Sequence, residues 1–168
     1  MGSFRMKLQV ATAGDVADLV SLRAAVNRHL ISQYGQGYWV AAATEKGMLF
    51  AMKRGTVYVA RDRGKLIATL TLSTRKPWAI DTKYFGRSKR PLYLTAMEVS
   101  PERQRTGVGR LCLDEASRIA REWPADAIRL DAYDTAAGAG DFYRKCGFRE
   151  VGRATYRNAP LIYFEMLE

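Results

Sequence analysis

The chain has 168 residues, of which 48% are hydrophobic and 26% charged, a composition that predicts one folded domain over residues 1–168. Its 27 lysines and arginines against 17 aspartates and glutamates give a net charge of +10, which favours an anionic partner without specifying one. No apolar run reaches the roughly 20 residues that cross a bilayer. The first residues lack the apolar core of an export signal. Cys112 and Cys146 lack the spacing of metal ligands. We therefore expect a cytoplasmic protein with no membrane segment, no disulfide and no metal.

The first half of the sequence predicts two helices followed by a β-hairpin. Thr12 and Asp15 have the spacing of a capping box, and apolar residues then recur at helical intervals. A second helix is expected to end before Gly55. Residues 56–72 form two β-branched, aromatic-rich runs around a turn at Gly64, which is typical of a hairpin.

The second half predicts a basic loop and then alternating strands and helices. Residues 73–91 carry six lysines and arginines and two prolines, so we expect a loop there. An apolar stripe from Val108 to Trp123 predicts a helix ended by Pro124, and a short helix is expected to end at Gly147. Strands are predicted at 92–99, 127–133, 149–156 and 161–166. The order α-α-β-β-β-α-β-α-β-β indicates a layered α/β or α+β domain.

The segment VSPERQRTGVGRL, residues 99–111, joins a predicted strand to a predicted helix. The first turn of a helix has unsatisfied N–H groups and a partial positive charge. Gly107 and Gly109 allow a ligand to approach this backbone closely. Three arginines add positive charge: Arg103, Arg105 and Arg110. The segment therefore predicts an anion site, and we expect the anion to be a pyrophosphate.

Two common phosphate-binding motifs do not fit this segment. It lacks the G-K-[ST] of a P-loop, and Cys112 stands where a dinucleotide fingerprint needs its third glycine. The segment resembles instead the acetyl-CoA signature of the GNAT N-acetyltransferases, with Gln104, Gly107 and Gly109 in its defining positions. FYRKCGF, residues 142–148, resembles a second element of that family. The two blocks, in order and with helices and a hairpin before them, extend the resemblance over nearly the whole chain.

The resemblance implies a fold and a cofactor site. The fold would be a mixed, mostly antiparallel sheet flanked by helices, whose fourth and fifth strands, here 92–99 and 127–133, splay apart at a bulge. The pantetheine arm of acetyl-CoA would pair with the backbone of β-strand residues Met97, Glu98 and Val99. The remaining cofactor contacts would come from Gln104, Arg105, Thr106, Gly107, Val108, Gly109, Arg110 and Tyr143. Ala136 stands where many relatives have an asparagine that contacts the cofactor.

The resemblance also implies acetyl transfer by direct attack of an amine while both substrates are bound. An alkyl amine with a pKa of about 10 must lose its proton before attack, and the departing thiolate, with a pKa of about 8.5, must gain one. Tyr143 matches the family's acid. Asp131 and Glu98 are rival candidates for the base, directly or through water, and the sequence leaves the choice open.

The sequence leaves the acceptor amine open, together with two alternative functions. The resemblance places Tyr34, Trp39, Trp78, Asp131 and Tyr133 beside an acceptor cleft, where they would bind a primary amine of a small molecule or peptide. One alternative is a GNAT-type toxin that acetylates aminoacyl-tRNA, in which the basic loop would contact the RNA backbone. Another is a non-enzymatic domain that binds acyl-CoA or nucleic acid. The oligomeric state stays open, with a homodimer as one option.

Overall fold

The fold is built on one seven-strand sheet with the order β1-β2-β3-β4-β5-β7-β6. The computed structural model describes residues 5–168, so residues 1–4 of the predicted domain lie outside the described part. The strands are β1 (Gln9–Val10), β2 (Thr56–Asp62), β3 (Lys65–Ser73), β4 (Pro91–Val99), β5 (Ala127–Tyr133), β6 (Arg149–Tyr156) and β7 (Ala159–Leu167). The helices are α1 (Val16–Tyr34), α2 (Glu45–Arg54), α3 (Val108–Glu122) and α4 (Gly140–Lys145). Within residues 5–168, none of these helices combines the length and apolar character needed to span a bilayer.

The sheet is antiparallel except between β4 and β5, which run parallel. These two strands pair only over Pro91–Tyr93 and Ala127–Arg129. β5 then continues along β7 as far as Tyr133, while the rest of β4 pairs with no described strand on that side. The predicted splay between the two strands is therefore confirmed, and it leaves an opening in the middle of the sheet.

A bulge in β4 lies beside this opening. Glu98 pairs with Thr69 and Thr95 pairs with Thr71, so β4 contains one more residue than β3 between the two pairs. Ala96 within this stretch has a φ of +50°. A bulge bends its strand and redirects the side chains near it. Here the bulge lies in the part of β4 that does not pair with β5.

Helices cover both faces of the sheet because each strand alternates its side chains. Val57 and Val59 of β2 pack against α1 and α2, whereas Tyr58 and Ala60 belong to the cluster that contains α3 and Tyr143 of α4. A third apolar cluster lies under the segment that precedes β4: Ile80, Phe85, Tyr93, Leu161 and Tyr163. The predicted basic loop is therefore anchored to the sheet by its own apolar residues.

Most predicted elements are present, with shifts at their ends. The sequence analysis did not predict β1. With this two-residue strand included, the strand Pro91–Val99 is the fourth in the chain, as the resemblance requires. Thr12 and Asp15 begin a short 3₁₀ turn, with the Thr12 N–H donating to the Asp15 carboxylate at 2.8 Å, and α1 follows directly. α1 runs on to Tyr34 and ends at Gly35, whose φ is +78°.

Candidate active site

A cleft of about 880 Å³ lies where β4 and β5 separate. Its walls come from four parts of the chain: the end of β4, the segment from residue 101 into the first turn of α3, residues 136–146, and one face of α1. The splay of the sheet is what brings these segments to one opening. A volume of this size is typical of sites for cofactors and other small ligands.

The start of α3 forms one end of the cleft. Gly107 precedes the helix with a φ of +92°, and Arg105 has a φ of +60°. Because Gly107 has no side chain to cap the helix, the first-turn amides of Val108, Gly109 and Arg110 stay available to a ligand. A Cβ at Gly107 would meet no atom within 4 Å, so glycine is needed there for its backbone conformation.

Gly109 is needed for a different reason, which is space. A Cβ at this position would lie 2.9 Å from Cζ of Phe142, so the glycine allows α4 to pack against the first turn of α3. Arg110 strengthens this junction, because its guanidinium donates to the Lys145 carbonyl at 2.8 Å. The glycine-containing segment therefore joins the two sides of the cleft as well as exposing amides.

The other predicted cofactor residues of this segment have mixed positions. Gln104 lines the cleft, and its side-chain amide donates to the Val99 carbonyl at 3.1 Å, which ties the segment to the end of β4. Thr106 is exposed and donates to the Arg103 carbonyl, and Val108 is buried in the core; neither lines the cleft. Arg103 forms an ion pair with Asp62 at 2.5 Å, so its charge is largely neutralised.

Tyr143 projects from α4 into the cleft. Its ring packs near those of Phe148 and Phe164, and its hydroxyl lies 3.9 Å from Sδ of Met97 on β4. Burial raises the pKa of the Tyr143 hydroxyl, and the charge of Asp131 raises it further. The hydroxyl is therefore protonated at neutral pH and is able to donate a proton to a group in the cleft.

Glu98 lines the cleft from β4 and is held by a residue of α1. Its Oε1 accepts a hydrogen bond from Nε of Arg23 at 2.7 Å, while Oε2 is buried and has no partner among the described residues. Burial raises the pKa of the Glu98 carboxyl, and the charge and hydrogen bond of Arg23 oppose this increase. Glu98 thus has one carboxylate oxygen without a partner among the described residues, on the side of the sheet that α1 covers.

Asp131 occupies a different position from its rival. It lies on β5, on the same sheet face as Arg129 and Tyr133, and is not among the residues that line the cleft. Burial raises the pKa of its carboxyl, which forms no ion pair within residues 5–168. The charge of Asp131 raises the pKa of both Tyr133 and Tyr143, so it lies close enough to influence the cleft.

The predicted acceptor residues fall into two groups. Tyr34 lines the cleft at the end of α1. The segment after α1 brings Tyr38 into contact with Trp39 and with Tyr133, each at a ring-centroid distance of 5.1 Å. Trp78 is instead 78% exposed and does not line the cleft. The structure thus brings together Tyr38, Trp39 and Tyr133, places Tyr34 on the cleft and leaves Trp78 apart.

Ala136 lines the cleft, as the resemblance implies, within a tight turn after β5. A Cβ at Gly138 would lie 1.8 Å from the carbonyl oxygen of Tyr133, so the turn requires glycine there. The sequence did not indicate His29, Gln33, Lys145 and Cys146, which also line the cleft. His29 and Gln33 follow the apolar residues of α1 at helical intervals, a signal that would have placed them on the same face.

The overall fold is that of GNAT acetyltransferases in solved structures. A GNAT-family acetyltransferase from Streptococcus agalactiae aligns with a TM-score of 0.78 at 13% identity, over 97% of this chain and 95% of that one. The PaiA N-acetyltransferase of Thermoplasma acidophilum, in complex with coenzyme A, aligns with a TM-score of 0.70 at 15% identity, over 94% and 97%. The ribosomal-protein-alanine N-acetyltransferase of Brucella melitensis gives 0.68 at 18% identity, over 96% and 99%.

The family assignment has independent support from the sequence. The family model for the acetyltransferase (GNAT) family matches residues 24–148, which include α1 from residue 24 onward, all residues that line the cleft and both signature blocks. The chain belongs to the GNAT family of acetyltransferases. No curated protein matches it.

Proposed function

We propose that this protein transfers an acetyl group from acetyl-CoA to a primary amine of a small molecule or peptide, by direct attack while both substrates are bound. The observation that carries the proposal is that one cleft contains a helix start with free amides, an unpaired strand edge, a carboxylate and a protonated phenol. These are the groups that a thioester carrier and an amine nucleophile require. Family membership and the coenzyme A complex of a structural relative support the choice of carrier.

Acetyl-CoA would lie along the edge of β4 and across the start of α3. Among the described residues, no strand pairs with Met97, Glu98 and Val99 on the β5 side, and of their carbonyls that of Val99 accepts from Gln104. The remaining backbone groups of these three residues would offer hydrogen bonds to an extended ligand, as an added strand would. The amides that follow Gly107 suit a pyrophosphate, and Arg105 and Arg110 place positive charge beside them. When bound, the cofactor supplies the thioester whose carbonyl carbon is attacked.

The remaining chemistry is assigned to two side chains of the cleft. Glu98 is the better placed of the two candidate bases, because it lines the cleft and has a free oxygen, whereas Asp131 lies outside it. Glu98 would take a proton from the amine, directly or through water. Tyr143 would donate its proton to the departing sulfur and regain one from solvent or from the base. No covalent enzyme intermediate is needed, since holding both substrates in line lowers the barrier.

Asp131 and the aromatic residues around it support an amine that arrives as a cation. The unpaired carboxylate lies beside Tyr133, whose ring contacts that of Tyr38. Aromatic faces and a nearby carboxylate both attract ammonium groups. Because this set belongs to the α1–α2 side of the opening, the acceptor would enter opposite the cofactor. Asp131 would then attract and orient the acceptor rather than remove its proton.

Two measurements in sequence test the proposal. Acetyl-CoA at 100 times its Kd should stabilise the protein by about 2.7 kcal/mol, which is about 5–11 °C in Tm for a domain of this size. Thiol release should then be followed with a panel of small amines, peptides and aminoacyl-tRNA, using Tyr143→Phe as the matched control. Failure of well-folded protein to take up acetyl-CoA or CoA in a calorimetric titration would overturn the proposal. Turnover with aminoacyl-tRNA alone would replace the small amine with the toxin-type acceptor.

A further inference from the structure

One face of α1 connects the candidate base to the segment that carries the acceptor aromatics. Arg23 and Asn27 are one helical turn apart and share this face. Arg23 donates to Oε1 of Glu98 at 2.7 Å and, through Nη1, to the Ala42 carbonyl at 3.4 Å. Asn27 donates to the Ala41 carbonyl at 2.5 Å and accepts from the Ala41 amide at 3.3 Å. The segment from residue 35 to residue 44, which we call the acceptor segment, is thereby fixed to α1.

We propose that Arg23 is a positioning residue that holds Oε1 of Glu98, directs Oε2 into the cleft and couples this orientation to the acceptor segment. The inference rests on the proposed function, because it assigns a task to the same carboxylate. It adds a residue that the signature blocks do not contain. It also links the position of the acceptor segment to the orientation of Glu98, because the Arg23 guanidinium contacts both.

The unpartnered oxygen is the part of this arrangement that points to a ligand. Buried carboxylate oxygens in proteins are nearly always hydrogen-bonded, so a bare one requires an explanation. Glu165 in the core also has an unpartnered oxygen, yet it is remote from the cleft. Glu98 differs because it lines the cleft, where an ammonium group or a water molecule would complete its hydrogen bonding. With Arg23 occupying one oxygen, the other is left for the acceptor.

Arg23 is also the charged group that contacts Glu98 most directly. The titratable groups that line the same cleft include His29 of α1 and Tyr143 of α4, and β3 pairs the uncharged Thr69 with Glu98. Arg23 of α1 reaches the carboxylate itself. Among the described residues, Arg23 is the one whose side chain forms a hydrogen bond with the Glu98 carboxylate. The Glu98 side chain is only 12% exposed, so without a cation it would tend to bind a proton and lose its function as a base. An adjacent opposite charge commonly shifts a carboxyl pKa by about 1–3 units.

The test compares Arg23→Gln with Arg28→Gln, which removes an exposed arginine of the same helix. Arg23→Gln should move the acid limb of the pH profile of kcat/KM for the acceptor upward by about 1 unit or more. Arg28→Gln should leave the limb unchanged, and Arg23→Lys should return it most of the way because it restores the charge. Asn27→Ala should raise KM for the acceptor without moving the limb. An unmoved limb in Arg23→Gln overturns the inference.

A second readout separates this inference from the proposed function. The Glu98 carboxyl can be titrated by carbon-13 NMR in the free protein, with its signal assigned from Glu98→Gln. Its pKa should rise in Arg23→Gln relative to wild type and stay unchanged in Arg28→Gln, whether or not an acceptor has been found. An equal pKa in Arg23→Gln and wild type refutes the role of Arg23. Absence of thiol release from wild type with every acceptor refutes the proposed function instead.

Discussion

Two glycines with similar positive φ angles allow the contribution of the α3 start to cofactor binding to be measured separately from its contribution to stability. Gly107 has a φ of +92° and Gly64, in the β2–β3 turn, has a φ of +79°. A Cβ at either position would meet no atom within 4 Å. Alanine at each therefore incurs only the cost of a left-handed conformation, about 1–2 kcal/mol. We expect both variants to lose about 2–8 °C in Tm.

The two variants should differ in their affinity for acetyl-CoA. Gly107 lines the cleft and sets the direction of the first-turn amides of α3, whereas Gly64 does not line the cleft. If Gly107→Ala relaxes its φ, at least one amide is displaced from the bound phosphate. A hydrogen bond to a charged group contributes about 1.5–3 kcal/mol, so the Kd for acetyl-CoA should rise about 10- to 150-fold. Gly64→Ala should bind as wild type does.

The assay is a thermal melt of each variant with and without acetyl-CoA, followed by a calorimetric titration at a temperature where both are folded. Gly64→Ala serves as the matched control, because it shares the loss of stability without sharing the site. Equal cofactor affinity in the two variants would refute the reasoning about the helix start. A Gly107→Ala variant as stable as wild type would refute the reasoning about its backbone.

Three further outcomes follow from contacts in and around the cleft. Tyr143→Phe should lower kcat about 10- to 1,000-fold. The affinity for acetyl-CoA should change little, because the hydroxyl loses only a 3.9 Å contact with the Met97 thioether. Unchanged kcat in steady-state assays would remove Tyr143 from the acid role. Gly109→Ala should lower the free energy of unfolding by about 1–3 kcal/mol, because the new Cβ displaces the ring of Phe142. In thermal melts, adding Phe142→Leu to this variant should recover part of the lost stability. No recovery would contradict the steric explanation. Arg129→Met should lower the free energy of unfolding, measured by urea denaturation, by about 3–5 kcal/mol, because it removes the ion-pair partner of Glu165, whose side chain is 1% exposed. The double variant Arg129→Met with Glu165→Leu should lose less stability than Arg129→Met alone. An equal or larger loss would show that the buried ion pair is not the cause.

Periodic and local signals made most of the fold predictable. The capping box at Thr12, the hairpin around Gly64 and the apolar stripe of α3 each depend on neighbouring residues, and the structure contains all three. β1 was missed because it consists of two exposed residues, Gln9 and Val10, which form a strand only through pairing with β2. Its contribution is tertiary, so no local pattern in the sequence marks it.

The candidate site was predictable only where a motif identified it. The two glycines of the α3 start and Tyr143 lie on the cleft, as their motifs implied. The sequence did not reveal that Gly109 makes room for Phe142, or that Glu98 pairs with Arg23 from a helix 75 residues away in sequence. Both are contacts between elements distant in the chain. They depend on how the splayed sheet orients those elements, which composition and periodicity do not specify.

Burial has opposite consequences for the two side chains that we assign to catalysis. It raises the pKa of Tyr143, which keeps the hydroxyl protonated, as a proton donor must be before the sulfur departs. It also raises the pKa of Glu98, which by itself would leave the base protonated and inactive. A buried acid therefore needs no charged partner, whereas a buried base needs one. Tyr143 contacts the neutral thioether of Met97 and Glu98 contacts a guanidinium, the arrangement that these two requirements demand.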